Sequence, residues 1–179
     1  MVRFASGMAQ RGVSAATFDF PYMTAHRSGP DKPPVLEAAW RAAVDEARAT
    51  FGGLPLFIGG KSMGGRIASH IAAQGCDGLR GVFFLGYPLH PPGQPAKRRD
   101  AHLPDIKEPM LFVQGTRDEF GKSDEIAALL PSLQRATLHV VKDGDHSFKV
   151  RVRETGMTPD QALEQIMDVV FQWILDTAS

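Results

Sequence analysis

The chain has 179 residues and 19.5 kDa, with 20 Lys+Arg against 20 Asp+Glu and a formal net charge of zero. That length suits one domain over residues 1–179, and at 43% hydrophobic and 22% charged the composition excludes a disordered tail or a fibre. Balanced charge argues against nucleic acid as a partner, and the single cysteine, Cys76, excludes an intramolecular disulfide. No apolar run approaches the roughly 18 residues of a bilayer span, and the first twelve residues lack the apolar stretch of a signal peptide. A soluble cytoplasmic domain acting on a small molecule, with no membrane partner, is the expectation; oligomeric state is not legible.

Residues 2–11 read as a helix with Phe4 and Met8 on one face and Val2 as a further candidate for it. Gly12 punctuates, and residues 13–20 (VSAATFDF) read as a strand. The prolines and glycine of residues 21–34 predict a loop. Residues 35–50 are helical in pattern, with Leu36, Trp40, Ala43, Val44 and Ala47 aligned. Residues 54–59 (LPLFIG) form a short apolar strand, and 62–74 a helix closed by Gly75. The second half repeats the alternation. Strands are expected at 79–85, 110–114 and 136–141, a long irregular loop from Tyr87 to about Glu108, and a helix near 123–133 broken at Pro131. The last helix, 159–177, carries Leu163, Ile166, Val170, Trp173 and Ile174. Five strands separated by helices predict an α/β fold: three layers around a mainly parallel sheet, with no large cap domain.

The sharpest local signal is Gly60-x-Ser62-x-Gly64, between a predicted strand and a predicted helix. A nucleophile elbow needs a tight turn there, and glycines two residues either side of the serine remove Cβ atoms expected to collide. The helix N-terminus favours a developing oxyanion, and the Met63 N–H is one donor to it. A plain glycine-rich turn is the blander alternative. The GKS string also occurs in phosphate-binding loops, but that motif needs a glycine at position 55, which is Pro55.

A serine nucleophile requires a base and an orienting carboxylate. Asp118 follows the strand MLFVQ and His146 follows ATLHVV, in the order Ser, Asp, His and each at a strand's carboxyl end. Asp118 alternatively begins a turn, with Glu119 as substitute acid, and Asp143 and Asp145 are read as loop-shaping. His139 is read as packed in its strand, and His70 as surface or packing. His26, His90 and His102 lie in loops without metal-like spacing. Tyr22, Met23, Lys61, Tyr87 and Leu89 are candidate substrate contacts. Lys97-Arg98-Arg99 offers either steering for an acidic substrate or a solvated turn beside Asp100.

The strings Phe18–Met23, Gly60–Arg66 (GKSMGGR), Gly86–Gly93 (GYPLHPPG), Gln114–Asp118 and Gly144–Phe148 carry a resemblance. From about residue 13 to the C-terminus the chain resembles the small α/β-hydrolases of the dienelactone-hydrolase-like and testis-expressed-protein-30 type. The resemblance implies Ser62 as nucleophile, Asp118 as acid and His146 as base, without metal or organic cofactor. Dienelactone hydrolases proper use cysteine where this chain has serine. Relatives also begin with a strand ending in a His-Gly-x-Gly-type loop, before the helix matching residues 2–11. That loop supplies the second oxyanion donor, and its strand lies beside the one carrying the nucleophile. Met1 falls at the start of that helix, so the favoured expectation is a start assigned too far downstream or a truncated chain. The alternative is a divergent form whose sheet closes over the gap or pairs with another chain. The expected activity is cleavage of an ester, thioester or related acyl bond. A non-catalytic interaction module retaining the fold is the other reading.

Overall fold

A computed structural model describes residues 1–178. Four parallel strands form one sheet in the order β1 (Leu56–Lys61), β2 (Leu79–Leu85), β3 (Met110–Gly115), β4 (Ala136–Val141). Seven helices accompany them: α1 (Val2–Gln10), α2 (Pro21–Thr24), α3 (Pro33–Thr50), α4 (Met63–Gln74), α5 (Ser123–Ala127), α6 (Val152–Thr155) and α7 (Pro159–Ala178). This is the three-layer α/β architecture expected, with no large cap.

Each face of the sheet has its own core, because parallel strands must be covered on both sides. On one face Leu36, Trp40 and Val44 of α3 and Ile67 and Ile71 of α4 pack on Ile58, Val82, Phe84 and Phe112. On the other, Phe4 and Met8 of α1 and Ile166, Met167, Val170 and Ile174 of α7 pack on Leu85, Leu111 and Val113. Val2 stands outside that packing, exposed at the surface. β3 is buried along its whole length, as a continuous apolar run between two neighbours should be. Arg11 joins α1 to α7 through Glu164 and Asp168.

The main correction concerns residues 13–20. They form no regular element and join no ladder, so the described sheet has four strands and not five. Backbone groups become a strand only when a neighbour pairs them, and β1 pairs only with β2. Two aromatic side chains anchor the segment instead. Phe20 is buried, and Phe18 sets its edge against Trp40 at 4.9 Å while remaining 36% exposed.

Smaller shifts follow from proline chemistry. The first ladder strand begins at Leu56, two residues later than predicted, because Pro55 has no N–H to pair. Pro33 and Pro34 open α3, and Pro21 opens the short α2 inside the predicted loop, all at positions where a missing N–H is harmless. The predicted helix 123–133 ends at Ala127 and resumes as a 3₁₀ turn, Leu130–Ser132, at Pro131. Among the described residues, no helix is long and apolar enough to cross a membrane.

Candidate active site

Ser62 ends the turn between β1 and α4 with φ 52° and ψ −122°, a strained conformation for a side chain bearing Cβ. Its amide donates to Leu85 O at 3.0 Å, and its carbonyl accepts from Arg66 N at 3.0 Å, fixing the elbow to β2 and to the first turn of α4. The glycines act differently from the expectation. A Cβ on Gly60 would meet the Gly64 carbonyl carbon and Gly65 N at 2.9 Å, and one on Gly65 would lie 2.5 Å from Gly60 O. A Cβ on Gly64 would meet nothing within 4 Å. Gly60 and Gly65 are therefore the pair that lets strand and helix touch, and Gly64 is sterically free.

The loops after β3 and β4 bring two further residues to Ser62. His146 Nε2 lies 2.8 Å from Ser62 Oγ, and His146 Nδ1 lies 2.9 and 2.8 Å from the two Asp118 oxygens. A carboxylate only accepts, so Nδ1 carries the hydrogen and the Nε2 lone pair faces the serine hydroxyl. The Phe120 ring lies against the imidazole, with centroids 4.2 Å apart. Asp118 is wholly buried and saturated: Phe120 N donates to Oδ1 at 2.9 Å and Gln114 Nε2 to Oδ2 at 3.0 Å. A buried carboxylate requires such partners.

The sequence reading gave Gln114 no role of its own. Its amide also donates to Gly121 O at 2.6 Å, and its Oε1 accepts from Tyr87 N at 2.8 Å. One side chain thus ties the acid's loop to the loop after β2. A lone polar residue in the apolar run MLFVQ was the available signal.

Asp143 and Asp145 shape the histidine loop, as read from the sequence. The Asp145 Oδ1 accepts from Ser147 N at 2.8 Å and Lys149 N at 2.9 Å. Asp143 receives the Arg151 guanidinium and, from Arg151 N, a hydrogen bond of 2.8 Å. Hydrogen bonding from Arg151, with Arg117 alongside, holds its carboxyl well below the usual range. Glu119 points to solvent.

The other candidates, Lys61 apart, lie elsewhere. Tyr87 and Leu89 have no exposed surface; they are core side chains, and burial pushes the Tyr87 hydroxyl upward in pKa. Tyr22 stacks on Phe20, and Met23 is exposed on α2. Lys61 Nζ donates to His146 O. Arg98 pairs with Asp100 at 2.6 Å, the solvated-turn arrangement for that basic string. His90 bonds Glu125, His70 bonds Glu37, and His102 bonds Ser69 Oγ at 2.7 Å, with burial pushing His102 down to about 4. His26 is exposed in its loop, and His139 sits half-buried in β4, its pKa lowered by burial. Among the described residues, no three His, Cys, Asp or Glu side chains gather as a metal site.

A cavity of about 230 Å³ opens beside the site between β1, β2, α1 and α7, lined by Phe4, Lys61, Leu85, Phe148, Leu163 and Ile166 among others.

Several solved structures share this architecture. The esterase domain of a Rhodothermus marinus protein is 16% identical, with a TM-score of 0.69 over 99% of this chain and 80% of that one. A protein of unknown function from Agrobacterium tumefaciens, described as an alpha/beta hydrolase, is 14% identical, with a TM-score of 0.74 over 99% and 78%. Est1E from Butyrivibrio proteoclasticus, with ferulic acid bound, is 16% identical, with a TM-score of 0.64 over 82% and 69%. At such identities the likeness is one of fold. The sequence itself matches the alpha/beta hydrolase domain family over residues 1–175, and the chain belongs to that family.

Proposed function

We propose that the protein is a serine hydrolase that cleaves an ester, thioester or related acyl bond through an acyl-enzyme. The observation that carries the reading is the continuous array Ser62 Oγ, His146 Nε2, His146 Nδ1 and Asp118, with each contact at 2.8–2.9 Å. Ser62 Oγ attacks the acyl carbon as its proton passes to His146 Nε2. Met63 N–H, first in α4 and without an intrahelical carbonyl to bond, faces the developing oxyanion. Asp118 holds the imidazole tautomer and stabilises the imidazolium. His146 then protonates the departing oxygen or sulfur, and water attacks the acyl-serine by the same path reversed.

The esterase domain from Rhodothermus marinus lends support from the fold side, and the dienelactone-hydrolase-like resemblance from the motifs. Labelling with a fluorophosphonate tests the proposal. Wild-type protein should form a stable adduct and Ser62→Ala none. Folded wild-type protein that neither labels at Ser62 nor turns over short acyl esters would leave the interaction-module reading in its place.

A further inference from the structure

Lys61 ends β1 directly before Ser62, and the mechanism above gives it no task. Strand alternation sends its side chain to the α1–α7 face, where it joins Phe4, Leu85 and Phe148 in the cavity wall. A four-carbon stem suits that apolar lining, but a buried ammonium needs partners. It finds them at the site. Its Nζ donates to the His146 main-chain carbonyl and stands 5.0 Å from the centroid of the Phe148 ring. A Cβ placed on Gly86 would lie 3.0 Å from Lys61 Nζ, 3.3 Å from Asp118 Oδ2 and 3.4 Å from His146 Nδ1. Ammonium, carboxylate and imidazole therefore surround one point. The charged and titratable groups facing Lys61 are Asp118 after β3 and Asp145 and His146 after β4. From α1, Arg3 lines the same cavity and pairs with Asp160, whereas α7 offers only Leu163 and Ile166 there.

We propose that Lys61 is a positioning residue of this site: it tethers the His146 main chain and sets a fixed positive charge beside the Asp118–His146 pair. The inference rests on the reading of Ser62 as nucleophile. The tether fixes where the imidazole stands relative to Ser62 Oγ. The charge opposes protonation of the free imidazole, which keeps it available as a base. Burial pushes the Lys61 ammonium down to about 8, against the opposing pull of Asp118 and Asp145. The charge is present below that pH, where it acts on the proton equilibrium of the imidazole, and is lost above it.

The test is the pH profile of kcat/KM on a short acyl ester for wild type, Lys61→Met and Lys61→Arg, with active sites counted by fluorophosphonate labelling. Lys61→Met should lose about 10-fold in kcat with KM little changed, since binding groups are untouched. Its acid limb should move up by about one pH unit. Lys61→Arg keeps the charge, so it should retain the wild-type acid limb. A purely structural lysine would lower activity without moving the acid limb, and an acid limb of Lys61→Met at the wild-type position overturns the proposal. Where Lys61→Met fails to fold by circular dichroism, Lys61→Gln takes its place, and its acid limb at the wild-type position overturns the proposal. Wild type without Ser62-dependent labelling removes the parent reading and this inference together; labelling with an unmoved acid limb removes this inference alone.

Discussion

Residues 13–20 and β3 carry similar sequence signals, short β-prone runs bounded by turn residues, yet they end in opposite states. β3 lies between two ladders and is buried at every position; residues 14–19 are exposed and unpaired. Strand propensity describes a residue's fit to a pleated, half-buried surface, so it yields a strand only where neighbours supply that surface. The difference carries over to chemistry. The strand with two neighbours delivers Asp118 from a saturated network, whereas the segment without them contributes Phe20 to the core and nothing to the Ser62 array.

The contrast can be broken by substitution, and the largest effect is expected beyond β3. Asp118→Asn should keep the fold but reduce turnover about 10³–10⁴-fold, because an amide beside His146 Nδ1 favours the wrong imidazole tautomer. Asp145→Asn, next to His146 in sequence yet hydrogen-bonding only its own loop, should be far milder in the same ester assay. A turnover loss in Asp145→Asn equal to that in Asp118→Asn would mean the two carboxylates do not differ in role.

Stability should show the same asymmetry on the core side. Phe112→Ala removes a fully buried β3 ring and should cost about 3–5 kcal/mol in denaturant unfolding. Phe18→Ala removes a partly exposed ring and its edge contact with Trp40, for about 1 kcal/mol. Native-state hydrogen exchange should likewise find β3 amides protected and those of residues 14–19 fast. Slow exchange over 14–19 would mean those amides are paired.

The elbow offers a finer comparison. Gly65→Ala forces a carbon to 2.5 Å from Gly60 O and should destabilise by about 2 kcal/mol or more. Gly64→Ala meets nothing and replaces a helical glycine, so it should be neutral or stabilising by about 0.5–1 kcal/mol. Equal losses at both positions in thermal unfolding would refute the steric assignment.

The smallest effect concerns the histidine loop and acid. Arg151 holds the Asp143 carboxyl below its ordinary value of 3.8, so the folded state binds the proton less readily than the unfolded chain. The stabilisation is complete above that value and declines as the pH falls below it. Asp143→Asn should therefore lower Tm near neutrality and flatten its decline in acid. A variant with an unchanged acid profile would show that the ion pair is without effect on folding.

Much of the candidate site was legible in the sequence because its residues sit where secondary structure changes. A glycine-flanked serine between strand and helix, and an acid and a histidine each just past an apolar run, are local patterns. The two aspartates flanking Gly144 were also read as loop-shaping from their turn context, and their bonds to Arg151, Ser147 and Lys149 fit that reading. Gln114 was given no role because its hydrogen bond to Tyr87 joins segments far apart in the chain. Tyr87 and Leu89 were read as candidate substrate contacts in a long irregular loop, but the loop folds inward and buries both.

The alternation of apolar runs was enough to indicate an α/β fold, and the strand-end motifs to give the chain order of Ser62, Asp118 and His146. Those properties depend on local sequence and on periodicity. Which runs become strands, which glycines make contact and where the Lys61 ammonium comes to rest were decided only by the tertiary structure. The physical reason is common to all three: a backbone amide, a missing Cβ and a buried charge each take their meaning from the atoms opposite them.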